Sequence, residues 1–505
     1  MSRPARVARN VASSYGLRGL RALSVLVLTP YLFRALGVDG FGTWSILFTV
    51  ATVYSLVELG ATVGVTKHVA ELEGAAGPGI RELVGVSAGM MAALGLAAFA
   101  ASLPLALLTD GVAGEGLAGA YAAGMALIGA AQLLRFPGQA YGAALMGLQR
   151  YDLFNVGEAV TVLSFLAGSV AAVELGAGIA GLAGAYAGSL VLGAATWWML
   201  LRRHRPDALS APRAGRSAER RSVVAFGWRS LLIDSMDFVA MRMDTLVVAA
   251  LRDARAVAPL AAATRLVSGV QSLVLPFVAV LVPMVAESHA AGDREAVRRQ
   301  LLLATRVAVQ LTVLTAGGLA LFATDVVDAW LGPGAPAVTD DLVVVLMIVQ
   351  ILILAPLPAG RVLLGLGRLR AVTVLAVVEG VGNLALSIVL VIEHGAMGAA
   401  IATLITSGLL VPVRLPLACR ATGCTAGRLA REALAPAAAG CVPAFAVMSV
   451  ALLALDPGAL RLVAGLGGGW LVGAAVAAVQ TGPGRLRGLI RRPGAPVPEP
   501  VELSA

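Results

Sequence analysis

A chain of 505 residues with 58% hydrophobic and only 13% charged side chains is not composed to fold in water. Its formal net charge of +9 does not point to nucleic acid, because the basic residues fall in short segments between apolar runs rather than on one folded domain. Cys419, Cys424 and Cys441 match no metal-ligand or redox spacing and read as small packing residues.

Arg3, Arg6 and Arg9 precede an apolar run too extended for a signal peptide, so this run is expected to be the first retained span. Segments such as 84–108 and 433–455 are continuously apolar or small. They suit helices crossing a hydrocarbon layer of about 30 Å rather than the short alternating strands of a barrel. In chain order the apolar windows predict helices over 13–33, 42–65, 84–108, 117–143, 153–173, 179–201, 224–250, 257–284, 301–323, 341–360, 370–392, 396–417, 433–455 and 459–480.

The expected fold is therefore an all-α polytopic membrane protein. A six-helix bundle over 1–201 is followed by a basic linker over 202–222 and a second, parallel six-helix bundle over 223–420. An extra helix pair (421–482) and a cytoplasmic tail (483–505) complete it.

Short basic loops stay on the cytoplasmic side. Alternate loops carry Lys67 and Arg81; Arg150; the linker arginines; Arg294, Arg298 and Arg299; Arg368 and Arg370; Arg420, Arg428 and Arg431; and the tail arginines. The intervening loops hold Asp39, Asp110, Glu115, Glu174, Asp325, Asp328, Asp340, Asp341 and Glu393. Both termini are expected to be cytoplasmic. Arg34, Arg252, Arg255 and Arg461 run against the pattern.

The regions before and after the linker repeat one another in order. Tyr15-Gly16-Leu17-Arg18-Gly19-Leu20 matches Phe226-Gly227-Trp228-Arg229-Ser230-Leu231, and His68-Val69-Ala70-Glu71 matches Met284-Val285-Ala286-Glu287. Gly147-Leu148-Gln149-Arg150 then matches Gly365-Leu366-Gly367-Arg368, and Gly176-Ala177 matches Gly395-Ala396. The offsets drift only from 211 to 219. An even number of spans per half makes this a parallel repeat.

Several of these segments also resemble a known family. Leu36-Gly37-Val38-Asp39-Gly40-Phe41-Gly42-Thr43-Trp44, Glu58-Leu59-Gly60, Gly147-Leu148-Gln149-Arg150-Tyr151, residues 286–293 and Gly395-Ala396-Met397-Gly398-Ala399-Ala400-Ile401-Ala402 look like the polysaccharide-transport family. These are Wzx-type oligosaccharide flippases of the multidrug/oligosaccharidyl-lipid/polysaccharide exporter superfamily. The resemblance covers about residues 10–420 and departs at Val257-Ala258-Pro259, where the family often has an aromatic residue.

It implies a bacterial inner-membrane transporter, not an enzyme, whose two bundles rock about a central cavity. Its implied cargo is an undecaprenyl-diphosphate-linked oligosaccharide, moved from the inner to the outer leaflet for surface polysaccharide biosynthesis. A monomer in the bilayer, with glycan polymerase machinery as a candidate partner, is the expected assembly. No cofactor or metal is expected; H+ or Na+ is the candidate coupling ion.

Ionisable residues at membrane depth are costly and mark functional candidates. Arg18 and Arg21 share a face of the first span and read either as a diphosphate cradle or as snorkelling and ion-pairing residues. Arg265, deep in the eighth span, is a third candidate for the cavity or an ion pair. Asp234, Asp237, Arg242 and Asp244 in the seventh span, with Glu158 and Glu379 in the fifth and eleventh, are candidates for ion coupling or for charge-paired seams between helices.

A multidrug exporter of the same superfamily is the nearest alternative, which the arginines disfavour. A membrane-embedded glycan polymerase or ligase would need acid/base residues on a sizeable outer loop, and the expected outer loops are short. No nucleotide-binding motif suggests ATP coupling.

Overall fold

The computed structural model describes residues 3–74, 79–109, 112–209 and 243–490, and no strand occurs among them. Ten helices among the described residues are long and apolar enough to cross a membrane. Helix α1 (Arg3–Gly74) contains two crossings, because Gly37 leaves the helical region with φ 69° and ψ −178°. Only glycine takes that conformation without a steric cost.

Helices α2 (Ile80–Leu107), α3 (Ala118–Gly147), α4 (Tyr151–Glu174) and α5 (Gly178–His204) follow. Then come α6 (243–251), α7 (Ala254–Ala290) and α8 (Arg294–Leu321), the last containing a π turn at Val313–Gly317. Next are α9 (Ala323–Trp330), α10 (Val338–Gly365) and α11 (Leu369–Thr422). Gly395 divides α11 into two crossings, with φ 57° and ψ −137°. Helices α12 (Ala426–Ala454) and α13 (Ala459–Gln480) end the bundle.

The predicted all-α polytopic fold is thus the observed one; the expected loop over 324–340 opens with a short helix, α9, and the expected breaks at 34–41 and 393–395 lie inside continuous helices kinked at Gly37 and Gly395. Asp234, Asp237, Arg242 and the repeat segment 226–231 lie outside the described residues, as do Asp110 and the side chain of Glu58.

The chain separates into two compact units. One comprises Met1–Leu266, Trp330–Leu342 and Ala376–Thr403; the other comprises Val267–Ala329, Val343–Leu375 and Leu404–Ala505. In the first unit α3 is the central helix, burying Met125, Ile128 and Phe136. Small residues let its neighbours approach closely: Gly124 faces Leu47 of α1, Gly129 faces Ser102 of α2, and Gly138 faces Ala194 of α5.

In the second unit Cys419 and Cys424 pack with Val285, Leu301, Val362 and Ala433 in a buried apolar cluster, as expected of packing residues. Arg428 bridges Glu295 and Glu432 at 3.1 and 2.8 Å, tying α12 to α8. The outer faces of α12 and α13 expose Leu453 (89%) and Val479 (84%), surfaces suited to lipid and not to water.

The internal repeat has a geometric counterpart. Helices α3 and α10 end in the same turn: Arg150 N–H donates to Leu145 O and Arg368 N–H to Leu363 O, each at 2.9 Å. The residues before them, Gln149 and Gly367, both take left-handed φ, 59° and 72°. A Cβ on Gly147 would lie 2.6 Å from Val69 Cβ and 2.8 Å from Thr66 O. A Cβ on Gly365 would lie 2.7 Å from Val285 Cβ and 3.0 Å from Val282 O. These are the partners that the collinear matches pair with one another.

Candidate functional site

Within the first unit, three ionisable side chains from three helices meet. Arg21, on the first crossing of α1, forms an ion pair with Glu158 of α4. Arg135 of α3 approaches the other carboxylate oxygen of Glu158 at 3.5 Å. The Arg135 and Glu158 side chains are each 10% exposed, whereas Arg21 is 51% exposed. Two guanidiniums on one carboxylate leave this trio with a net positive charge. Breaking the buried Arg135–Glu158 pair would typically cost about 3–5 kcal/mol, whereas the half-exposed Arg21 is screened and contributes far less.

Arg135 is fixed from its other side. Its guanidinium lies 4.7 Å from the ring centre of Trp197 on α5, a cation–π arrangement. The fully buried indole donates its N–H to Phe154 O at 2.9 Å and stacks on the Phe154 ring at 5.2 Å. Gly157 makes this approach possible, since a Cβ there would fall 2.2 Å from the indole nitrogen.

Near the start of α1, Asn155 donates to Ser13 Oγ and Ser14 Oγ at 2.9 and 3.0 Å, and Arg9 pairs with Asp152 at 2.8 Å. The base of the first crossing is thereby tied to α4.

Arg18 does not share the Glu158 pair; its guanidinium lies 5.7 Å from the Tyr15 ring centre. Arg265 of α7 sits 4.7 Å over the Phe48 ring, and Phe48 belongs to an aromatic group with Trp44, Phe165 and Tyr186. Glu379 is half-buried on the first crossing of α11.

Asp244 of α6 organises a second cluster. Ser387 and Thr403 donate their hydroxyls to Asp244 Oδ1 and Oδ2, each at 3.0 Å. Asn383 donates to Thr403 Oγ1 at 3.0 Å, and its own carbonyl oxygen lies 2.9 Å from Ser387 Oγ. Asn383 and Ser387 are on the first crossing of α11 and Thr403 is on the second. A carboxylate, two hydroxyls and an amide oxygen form a hard oxygen set, able to hold a small cation or a proton. Sequence reasoning selected Asp244 but not Ser387 or Thr403, whose hydroxyls leave no trace in hydropathy.

The arginines that oppose the charge rule are each compensated. Arg255 pairs with Asp39, and Arg461 with the buried Asp325. Arg252 donates to Val391 O and Ile392 O, and Arg34 to Leu331 O and Trp330 O, carbonyls at helix ends where cations are favourable. Trp330 in turn donates its indole N–H to Leu26 O at 2.9 Å.

Residues 7–289 match the family of polysaccharide biosynthesis proteins. No curated protein matches the chain. The lipid II flippase MurJ, in an inward closed conformation, superposes with a TM-score of 0.69 at 13% identity, covering 95% of this chain and 99% of that one. An inward-facing multidrug resistance MATE family transporter of the MOP superfamily gives 0.66 at 16% identity, with coverages of 81% and 94%. A MOP superfamily transporter from Pyrococcus furiosus, described as having a binding pocket of reverse polarity, gives 0.58 at 14%, with coverages of 85% and 96%. At these identities the likeness establishes a shared fold.

Proposed function

This chain belongs to the polysaccharide biosynthesis protein family, and from that premise we propose that it flips an undecaprenyl-diphosphate-linked oligosaccharide from the inner to the outer leaflet by alternating access. The supporting observation is the cationic trio at membrane depth, in which the half-exposed Arg21 stands on Glu158 and Arg135. A guanidinium stays charged when desolvated and matches phosphate oxygens with two parallel hydrogen bonds. The excess positive charge suits an anionic head group better than the organic cations a multidrug exporter would carry.

In this reading Arg21 contacts the diphosphate, with Arg18 and Arg265 as further candidate contacts. Asp244, with Ser387, Thr403 and Asn383, is the coupling site for Na+ or H+. Both termini are cytoplasmic, and the halves 1–201 and 223–420 supply the moving parts.

The test is complementation of a strain lacking its flippase. Arg21→Ala is expected to abolish polymer export while membrane levels of the protein stay normal. Undiminished export would remove Arg21 from the site.

A further inference from the structure

We propose that Glu158 is an internal stand-in for the substrate's anionic head. It occupies Arg21 and Arg135 while the site is empty and gives up Arg21 when a diphosphate arrives. This inference rests on the flippase reading above and adds to it a mechanism of capture and release.

The asymmetry of the two arginines carries the argument. Arg135 is held on two sides, by Glu158 at 3.5 Å and by the Trp197 face at 4.7 Å. The indole is itself fixed by its hydrogen bond to Phe154 O and by stacking on the Phe154 ring. Arg135 therefore anchors the carboxylate and does not leave it. Arg21 meets the same carboxylate from α1 and is 51% exposed, so an incoming anion can reach it without moving α3, α4 or α5.

An uncompensated guanidinium at this depth would be costly between transport cycles. Glu158 lowers that cost in the empty state. By competing with phosphate for the same donors, it also keeps the bound state from becoming too tight to discharge. A transporter gains nothing from affinity that it cannot release on the far side.

The experiment uses the full-length protein in phosphatidylcholine nanodiscs, titrated with farnesyl diphosphate, inorganic pyrophosphate and farnesol. Glu158→Gln, which removes the competing charge, is expected to bind farnesyl diphosphate about tenfold more tightly than wild type. It is also expected to complement the flippase-deficient strain less well. Farnesol should not discriminate between the two proteins. A matching gain for pyrophosphate supports the proposal with the head group alone as ligand, and a gain confined to farnesyl diphosphate supports it with the lipid chain required.

Equal or weaker binding of farnesyl diphosphate by folded Glu158→Gln overturns the proposal. A second measurement avoids the substitution: labelling of Glu158 in the wild type by a hydrophobic carbodiimide, read by peptide mass spectrometry, should rise severalfold when farnesyl diphosphate is bound. Bound ligand with unchanged labelling also overturns it. Absence of farnesyl diphosphate binding by both wild type and variant would instead sink the diphosphate reading itself.

Discussion

Arg255 grips Asp39 with both prongs of its guanidinium, Nε to Oδ1 at 3.1 Å and Nη2 to Oδ2 at 2.8 Å. The pair joins the kink of α1 to the start of α7, beside a point where a Cβ on Gly42 would fall 1.8 Å from Ala254 O. Arg255 is largely exposed, so solvent screens the pair and it contributes little to stability. Its importance would lie in a cycle that opens and remakes it. Asp39→Asn and Arg255→Gln are each expected to lower export severalfold with little change in thermal midpoint. The swapped variant Asp39→Arg/Arg255→Asp should recover export, measured by complementation.

The matched glycines make a prediction about stability. Gly147→Ala and Gly365→Ala each push a methyl group into a valine and a carbonyl. Each is expected to cost about 1–3 kcal/mol as overpacking. Gly188 has open space around its Cβ position, so Gly188→Ala should be neutral or stabilising by up to about 1 kcal/mol from helix propensity. Thermal unfolding in one detergent would rank the three.

Coupling should fail in a specific manner at Asp244. Asp244→Asn keeps the shape of the side chain but removes the charge that a cation or proton would neutralise. Transport by this variant is expected to lose its dependence on Na+ concentration or on pH, and Thr403→Val should weaken the same dependence. An ion titration of flipping in proteoliposomes would measure both. Unaltered ion dependence in Asp244→Asn would exclude this cluster from coupling.

Arg461 and Asp325 offer a test of buried-charge energetics within the second unit. Asp325 is 6% exposed, so Arg461→Ala leaves a buried carboxylate without its partner and should destabilise by about 3–5 kcal/mol. Replacing both, as Arg461→Met/Asp325→Leu, should recover most of that loss in thermal unfolding.

The spans were legible because each apolar run is long and is bounded by charge or glycine. Even the two hinges inside continuous helices fall at Gly37 and Gly395, residues within the motifs that stood out in the sequence. The short helix α9 was missed because eight residues between two spans carry too little periodicity to declare themselves.

The ionic trio was only half legible. Arg21 and Glu158 stood out as charges within apolar runs. The role of Arg135 depends on Trp197, and a tryptophan inside a span looks like ordinary core. The spacing of Gly142 and Gly157, both of which make room for that indole, was the available signal. The Asp244 cluster joins residues 159 positions apart, a separation that no local pattern bridges.

The contacts of Gly147 with Val69 and of Gly365 with Val285 close over nearly the same length of chain. Neither needs any residue from the other half. During synthesis the first can therefore form before the second has left the ribosome, so each half can begin to assemble as its own helices enter the bilayer.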